Sequence, residues 1–188
     1  MEILQEIECR IDLLSFSKAL VIVAIDGSSG AGKSTLAAQL NDRYDLNVFH
    51  MDDFFLPPAL KTEERLNEAG GNADYERFKR EVIDGIHSLR EFEYRTYNCS
   101  VQKFDTTVRI KPKKLNIIEG VYSMHPSLSG FYDLKIFMKT DLQKQRERIL
   151  ARSSEEVLKR FMKEWIPLEN RYFRELKIEE NCDLVFVV

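Results

Sequence analysis

Cysteine is scarce in this 188-residue chain: Cys9, Cys99 and Cys182 are odd in number, scattered, and show no C-x-x-C spacing. That excludes a disulfide framework and a cysteine zinc site, and the three read as reduced thiols filling small spaces. A strong charge of either sign is also missing. The formal net charge is -3 and there is no Lys/Arg block, so neither nucleic acid nor an anionic membrane is expected as a partner. No apolar run approaches membrane-spanning length, and the first residues, Met1-Glu2-Ile3-Leu4-Gln5-Glu6, carry acids where a secretion signal needs a basic start. A cytoplasmic location is the expectation. His50, His87 and His125 share no metal-ligand spacing, and there is no internal repeat, low-complexity tract or linker. The simplest organisation is therefore a single domain over residues 1–188, long enough to bury a large core. A homo-oligomer is left open.

What is present is organised around Gly27-Ser28-Ser29-Gly30-Ala31-Gly32-Lys33-Ser34. The run Leu20-Val21-Ile22-Val23-Ala24-Ile25-Asp26 before it is apolar throughout and partly β-branched, which predicts a strand buried on both faces. Thr35-Leu36-Ala37-Ala38-Gln39-Leu40 after it is built of good helix formers. A G-x-x-x-x-G-K-[ST] pattern at such a strand-to-helix turn lets backbone N–H groups converge on phosphate oxygens, aided by the positive end of the helix. Lys33 is placed to reach β- and γ-phosphates, the Ser34 hydroxyl to ligate Mg²⁺, and the amides from Gly27 to Thr35 to line a nucleotide-phosphate site.

Along the chain, Ile3, Leu4, Ile7, Ile11 and Leu14 recur at helical spacing and predict an amphipathic helix over residues 2–18, packed on the outside of a sheet. Val48-Phe49-His50-Met51 reads as a short strand ending in Asp52-Asp53. Leu56-Pro57-Pro58 breaks regular structure, and residues 61–72 read as a mobile loop or frayed helix. Asp74 is a candidate cap for a helix with Tyr75, Phe78, Val82, Ile83, Ile86 and Leu89 on one face. Residues 93–110 suggest two short strands forming a hairpin outside the main sheet. Leu115–Glu119, Leu134–Met138 and Leu184–Val188 read as further buried strands. Asp141 opens an arginine-rich helix, and residues 155–175 read as a helix bent or broken near Pro167, with Phe161, Trp165, Leu168 and Tyr172 as a core-facing seam. Apolar strands alternating with helices predict an α/β fold: a parallel sheet of about five strands covered on both faces.

In such a sheet ligands bind beyond the carboxyl ends of the strands, which singles out Asp26, Asp52, Asp53 and Glu119 as companions of Lys33. Phosphoryl transfer needs a phosphate cradle, Mg²⁺, a positioned acceptor and positive charge on the moving group. Asp52 is the candidate base for an acceptor hydroxyl. Glu119 and Asp52 are candidate Mg²⁺ ligands with Ser34, and Glu119 is also placed to hold the acceptor. Arg148 and Arg152, four apart on one helix face, are candidates to clamp the phosphates.

These motifs resemble the uridine kinase and phosphoribulokinase family of P-loop kinases, which includes nicotinamide riboside and pantothenate kinases. The resemblance runs from Leu20 to Val188 and is carried by Gly27–Ser34, Met51-Asp52-Asp53-Phe54-Phe55, Asn72–Phe78, Tyr94-Arg95-Thr96-Tyr97, Glu119-Gly120 and Asp141–Arg152. It implies a three-layer P-loop fold with a small β-hairpin, an acceptor-binding insert at about 54–110 and a short lid at about 141–156. It implies an ATP-dependent phosphotransferase requiring Mg²⁺, with Lys33, Asp52, Arg148 and Arg152 catalytic. Asp74 would hold sugar hydroxyls, and Tyr97 would contact the base. Gln102 stands where uridine kinases carry a pyrimidine-binding histidine, Phe55 replaces the loop tyrosine, and the lid after Arg152 is short and poor in arginine. The expected acceptor is a small nucleoside, uridine or cytidine first. The alternatives are nicotinamide riboside, pantothenate or another small alcohol, or a nucleotide-binding switch or ATPase with no small acceptor.

Overall fold

The computed structural model describes residues 3–188. Helix α1 (Ile3–Ser17) leads into β1 (Val21–Gly27), α2 (Lys33–Asn41) and β2 (Leu46–His50). Single 3₁₀ turns at Met51–Phe54 and Pro58–Leu60 and the one-turn helix α3 (Glu63–Leu66) follow. Next come α4 (Tyr75–Phe78) and α5 (Asp84–His87), joined by a π turn at Lys79–Ile83, then β3 (Phe92–Asn98), β4 (Lys103–Ile110) and β5 (Leu115–Glu119). The chain continues through α6 (Pro126–Ser129), β6 (Leu134–Lys139), α7 (Leu142–Ala151), α8 (Glu155–Arg160), a π turn at Phe161–Trp165 and α9 (Ile166–Glu175) to β7 (Leu184–Val187).

Five strands form a parallel sheet in the order β2-β5-β1-β6-β7, and β3 and β4 pair separately as an antiparallel hairpin. All seven β1 residues are buried, as an apolar run at the centre of a covered sheet should be. The two-residue period splits them between two cores. Val21, Val23 and Ile25 pack with Ile7 and Ile11 of α1 and Leu36 and Leu40 of α2. Ile22 and Ala24 face Phe78, Val82 and Ile83 on the other side, with Leu128 of α6 and Tyr172 of α9. Helices on both faces make three layers.

Local differences from the sequence reading have physical causes. β2 starts two residues early and stops at His50, because Met51 turns into the 3₁₀ segment that seats Phe54 against Phe78, with ring centroids 4.8 Å apart. β7 is an edge strand rather than a buried one, with Val185 and Val187 exposed. Pro167 does not break the last helix. The wide π turn just ahead of it, closed by Ile166 N–H donating to Phe161 O, makes room for the ring and its missing donor. The expected seam is reduced to Tyr172, since Phe161 and Trp165 are half-buried and Leu168 is exposed. α1 matches the expected helix, of which Glu2 lies outside the described residues. Segment 61–72 is fastened by Arg65, whose guanidinium donates to Gly71 O, Ala73 O, the Tyr75 hydroxyl and Glu76.

Candidate active site

Strand register assembles the site. Ile25 of β1 and His50 of β2 both pair with Glu119 at the end of β5, and Gly27 pairs with Met138 of β6. Four strand ends therefore stop at one level. Two glycines allow the close approach: Gly27 has φ +132°, and a Cβ there would lie 1.9 Å from Met138 O. Gly120, at φ +131°, would set one 2.9 Å from Met51 Cβ.

The loop after β1 sorts its donors. Ser28 N–H bonds Met138 O (2.9 Å) and Ala31 N–H bonds Ser28 O (3.1 Å). Helix α2 begins after Gly32, which is left-handed (φ 89°) and supplies no side-chain cap. First-turn N–H groups of a helix have no intrahelical partner, so those of Lys33, Ser34 and Thr35 point out of the helix end, as an anion site requires. The Lys33 ammonium donates to Gly27 O (2.7 Å) and Ser28 O (3.0 Å), arching over the loop.

A cavity of about 100 Å³ opens over this loop, lined on the far side by Asp52, Glu119 and Arg152. Ser34 Oγ donates to Glu119 Oε1 (3.1 Å), which also meets His50 Nδ1 at 2.5 Å. That hydrogen bond raises His50 above its ordinary value despite partial burial. Asp52 is open to solvent yet crowded by protein within the cleft. Desolvation first, and the Glu119 carboxylate second, push its carboxyl above the usual range. A hydroxyl and two carboxylates are a hard oxygen set, which fits Mg²⁺ sharing its shell with phosphate oxygens and water.

Two further cavities adjoin the cleft. One, of about 310 Å³, lies under the hairpin between Asp52, Asp53 and Phe55 on one side and Thr96, Tyr97, Asn98, Cys99 and Asp105 on the other. The Tyr97 hydroxyl is buried without a hydrogen-bond partner. The other, of about 860 Å³, extends from Gly30, Gly32 and Thr35 past Arg148 and Arg152 to Ile3, Leu4 and Val188.

Several expected site residues lie elsewhere. Arg148 does not share the phosphate cavity with Arg152. It borders only the larger cavity and donates to Gly30 O at 3.2 Å, because Arg152 sits past the last turn of α7 at its C-cap while Arg148 is within the helix. Asp74 caps α4 as expected, but its carboxylate is held by Arg77 and borders a separate cavity with Leu56 and Arg65. Gln102 is exposed in the hairpin turn at φ 53° and does not line the cavity under the hairpin. Asp26 faces inward: it accepts from Gly27 N–H, Met124 N–H and the Tyr172 hydroxyl, and burial raises its pKa from 3.8 to about 6.

Other residues escaped sequence reasoning. Arg77, almost fully buried, donates to Asp53 O (2.9 Å) and Arg95 O (2.6 Å), and so ties the Asp52–Asp53 turn to the hairpin. Glu169 and Gln145 both grip Ser29. Only the motif at Asn72–Phe78 hinted at Arg77; nothing in the local pattern marked Glu169, His50 or Gln145.

The model of the Phosphoribulokinase / Uridine kinase family matches residues 22–156. A uridine kinase of Clostridium botulinum (strain Kyoto / Type A2) is 25% identical over 153 residues, covering 74% of this chain and 71% of the relative. A uridine kinase of Clostridium perfringens (strain 13 / Type A) is 21% identical over 175 residues, covering 85% and 84%. Among solved structures, a possible uridine kinase from Bacillus stearothermophilus superposes with TM-score 0.66 at 22% identity, covering 96% of this chain and 99% of that one.

Proposed function

Because the chain belongs to the phosphoribulokinase/uridine kinase family and is a phosphotransferase acting on a hydroxyl group, we propose that it transfers the γ-phosphoryl group of ATP to the primary hydroxyl of a nucleoside, uridine or cytidine first. The observation that carries this reading is the position of Asp52. It is the one residue common to the phosphate cavity and the cavity under the hairpin. A carboxylate between a phosphate donor and an acceptor pocket is where a general base for the acceptor hydroxyl belongs. A switch or simple ATPase has no use for the second pocket.

In this scheme Lys33 leaves the carbonyls of Gly27 and Ser28 for the donor's β- and γ-phosphates, and the amides of Gly30, Gly32, Lys33, Ser34 and Thr35 take the remaining oxygens. Ser34, Glu119 and Asp52 would hold Mg²⁺, which when bound would neutralise charge on the phosphates. Arg152 adds positive charge from the opposite wall of the same cavity. The larger cavity, half apolar and continuous with the loop, takes the donor's base. Tyr97, with its buried hydroxyl unpaired, offers a ring face and a polar handle to the acceptor.

The second reading is nicotinamide riboside. The acceptor cavity is lined by Asp52, Asp53 and Asp105 and by no Lys, Arg or His. Three carboxylates there favour a neutral or cationic acceptor over a phosphorylated sugar or the carboxylate of pantothenate. Incubation with Mg·ATP and each acceptor, followed by mass spectrometry, tests both. The reading expects a gain of one phosphate on a nucleoside, and ADP formation indifferent to every alcohol supplied would refute it.

A further inference from the structure

Every polar group of Ser29 is taken by a side chain from a distant helix. Its N–H donates to Glu169 Oε2 at 3.1 Å, its hydroxyl donates to Glu169 Oε1, and its carbonyl accepts from Gln145 Nε2 at 2.8 Å. Glu169 belongs to α9 and Gln145 to α7, and both are buried. A carboxylate is costly to bury, and burial pushes Glu169 up while the two bonds from Ser29 pull it back. Filling space does not need an acid here.

Ser29 borders the phosphate cavity and Glu169 does not, so the carboxylate grips the loop from behind. One turn further along the same face of α9, the Tyr172 hydroxyl bonds Asp26, the residue before Gly27. Helix α9 therefore holds both the root and the arch of the loop. The effect is a division of donors. Ser28, Ser29 and Ala31 spend their N–H groups on protein acceptors. Gly30 and Gly32, among the described residues, bond no protein acceptor through theirs. An unheld Ser29 amide would let the glycine-flanked arch choose other orientations, and those donors would lose their common aim.

We propose that Glu169 is a positioning residue for the donor: by accepting both Ser29 donors it locks the phosphate loop in the shape that receives a nucleotide triphosphate. This rests on the phosphotransferase reading only at the donor side. The test is binding of Mg·AMP-PNP to the full chain by calorimetry, which needs no acceptor. Glu169→Ala should raise Kd on the order of tenfold, the scale expected when a binding group loses its preset geometry. Glu169→Gln, whose carbonyl can accept Ser29 N–H and whose amide can donate to the Ser29 hydroxyl, should recover most of the loss. Ile83→Val and Ile83→Ala, in the same core cluster as Tyr172 of α9 but on the π turn before α5, bracket the accompanying loss of thermal stability and should leave Kd unchanged. Wild-type affinity in Glu169→Ala, or equal weakening by an Ile83 variant of equal stability, would overturn the proposal. So would tighter binding by either Glu169 variant, which would mark the carboxylate as an electrostatic brake. A chain that binds Mg·AMP-PNP but phosphorylates no nucleoside contradicts the acceptor reading and leaves the Glu169 result standing.

Discussion

Two acids at the ends of β1 and β2 meet opposite fates. Asp52 ends in a cleft, where it borders both the phosphate cavity and the hairpin cavity. Asp52→Asn should lower acceptor-dependent turnover by about 10²–10⁴, the usual worth of a general base. Full turnover in that variant would remove the base. Asp26 ends inside the protein among Gly27, Met124 and Tyr172, and its pKa rises from 3.8 to about 6. The folded state thus holds this proton more tightly than the unfolded chain. Stability from Asp26 is present at low pH and is lost as pH rises through about 6. Urea titrations should show wild type losing ground to Asp26→Asn between about pH 4 and about pH 7. The opposite slope would mean that Asp26 is charged and stabilising.

At the scale of elements, the turn between β1 and α2 tolerates no side chain at its first residue. Gly27→Ala puts a Cβ against Met138 O at φ +132°. It should cost about 3 kcal/mol or more, read as a fall in Tm, because the strain and the clash act together. Segment 61–72 is held by two guanidiniums, that of Arg171 on Asn67 O at 2.6 Å and that of Arg65 on several groups. Arg65 lies 3.9 Å over the Tyr75 ring, and Tyr75 stacks on His125 at 3.9 Å. Burial lowers His125 to about 4, so that stack is neutral at neutral pH. Arg65→Ala should raise limited proteolysis within 61–72 on the order of tenfold, with a far smaller change in global stability, since it frees a surface segment rather than the core. Unchanged cleavage would show that the segment is held by its turns and Arg171 without Arg65.

For the whole molecule, what could be read in advance was what depends on neighbours in sequence. Apolar runs announced the strands, helical spacing announced α1, Asp141 with the arginines after it announced α7, and the glycine pattern announced the phosphate loop at Gly27–Ser34. That Asp52 and Glu119 would share a cavity with Lys33 was legible because strand ends collect at one edge of a parallel sheet. Glu169 and Ser29 are 140 residues apart, and no local signal encodes such a pairing. Asp26 and Asp74 lie apart from the phosphate cavity, for a related reason. A carboxylate at a strand end or helix start looks the same whether it meets a ligand or an inward partner such as Tyr172 or Arg77. Gln102 was judged by its distance from Tyr97 along the chain, and a left-handed turn carries it away from the cavity.

The central claim is that one carboxylate joins a triphosphate cradle to a pocket for an uncharged or cationic alcohol. A coupled ADP-release assay with Mg·ATP tests it directly, run against uridine, cytidine, nicotinamide riboside, pantothenate and a sugar phosphate. ADP release that depends on a nucleoside is the expected result, with the anionic acceptors inactive. Release that ignores the acceptor, or that is fastest with an anionic one, would contradict it.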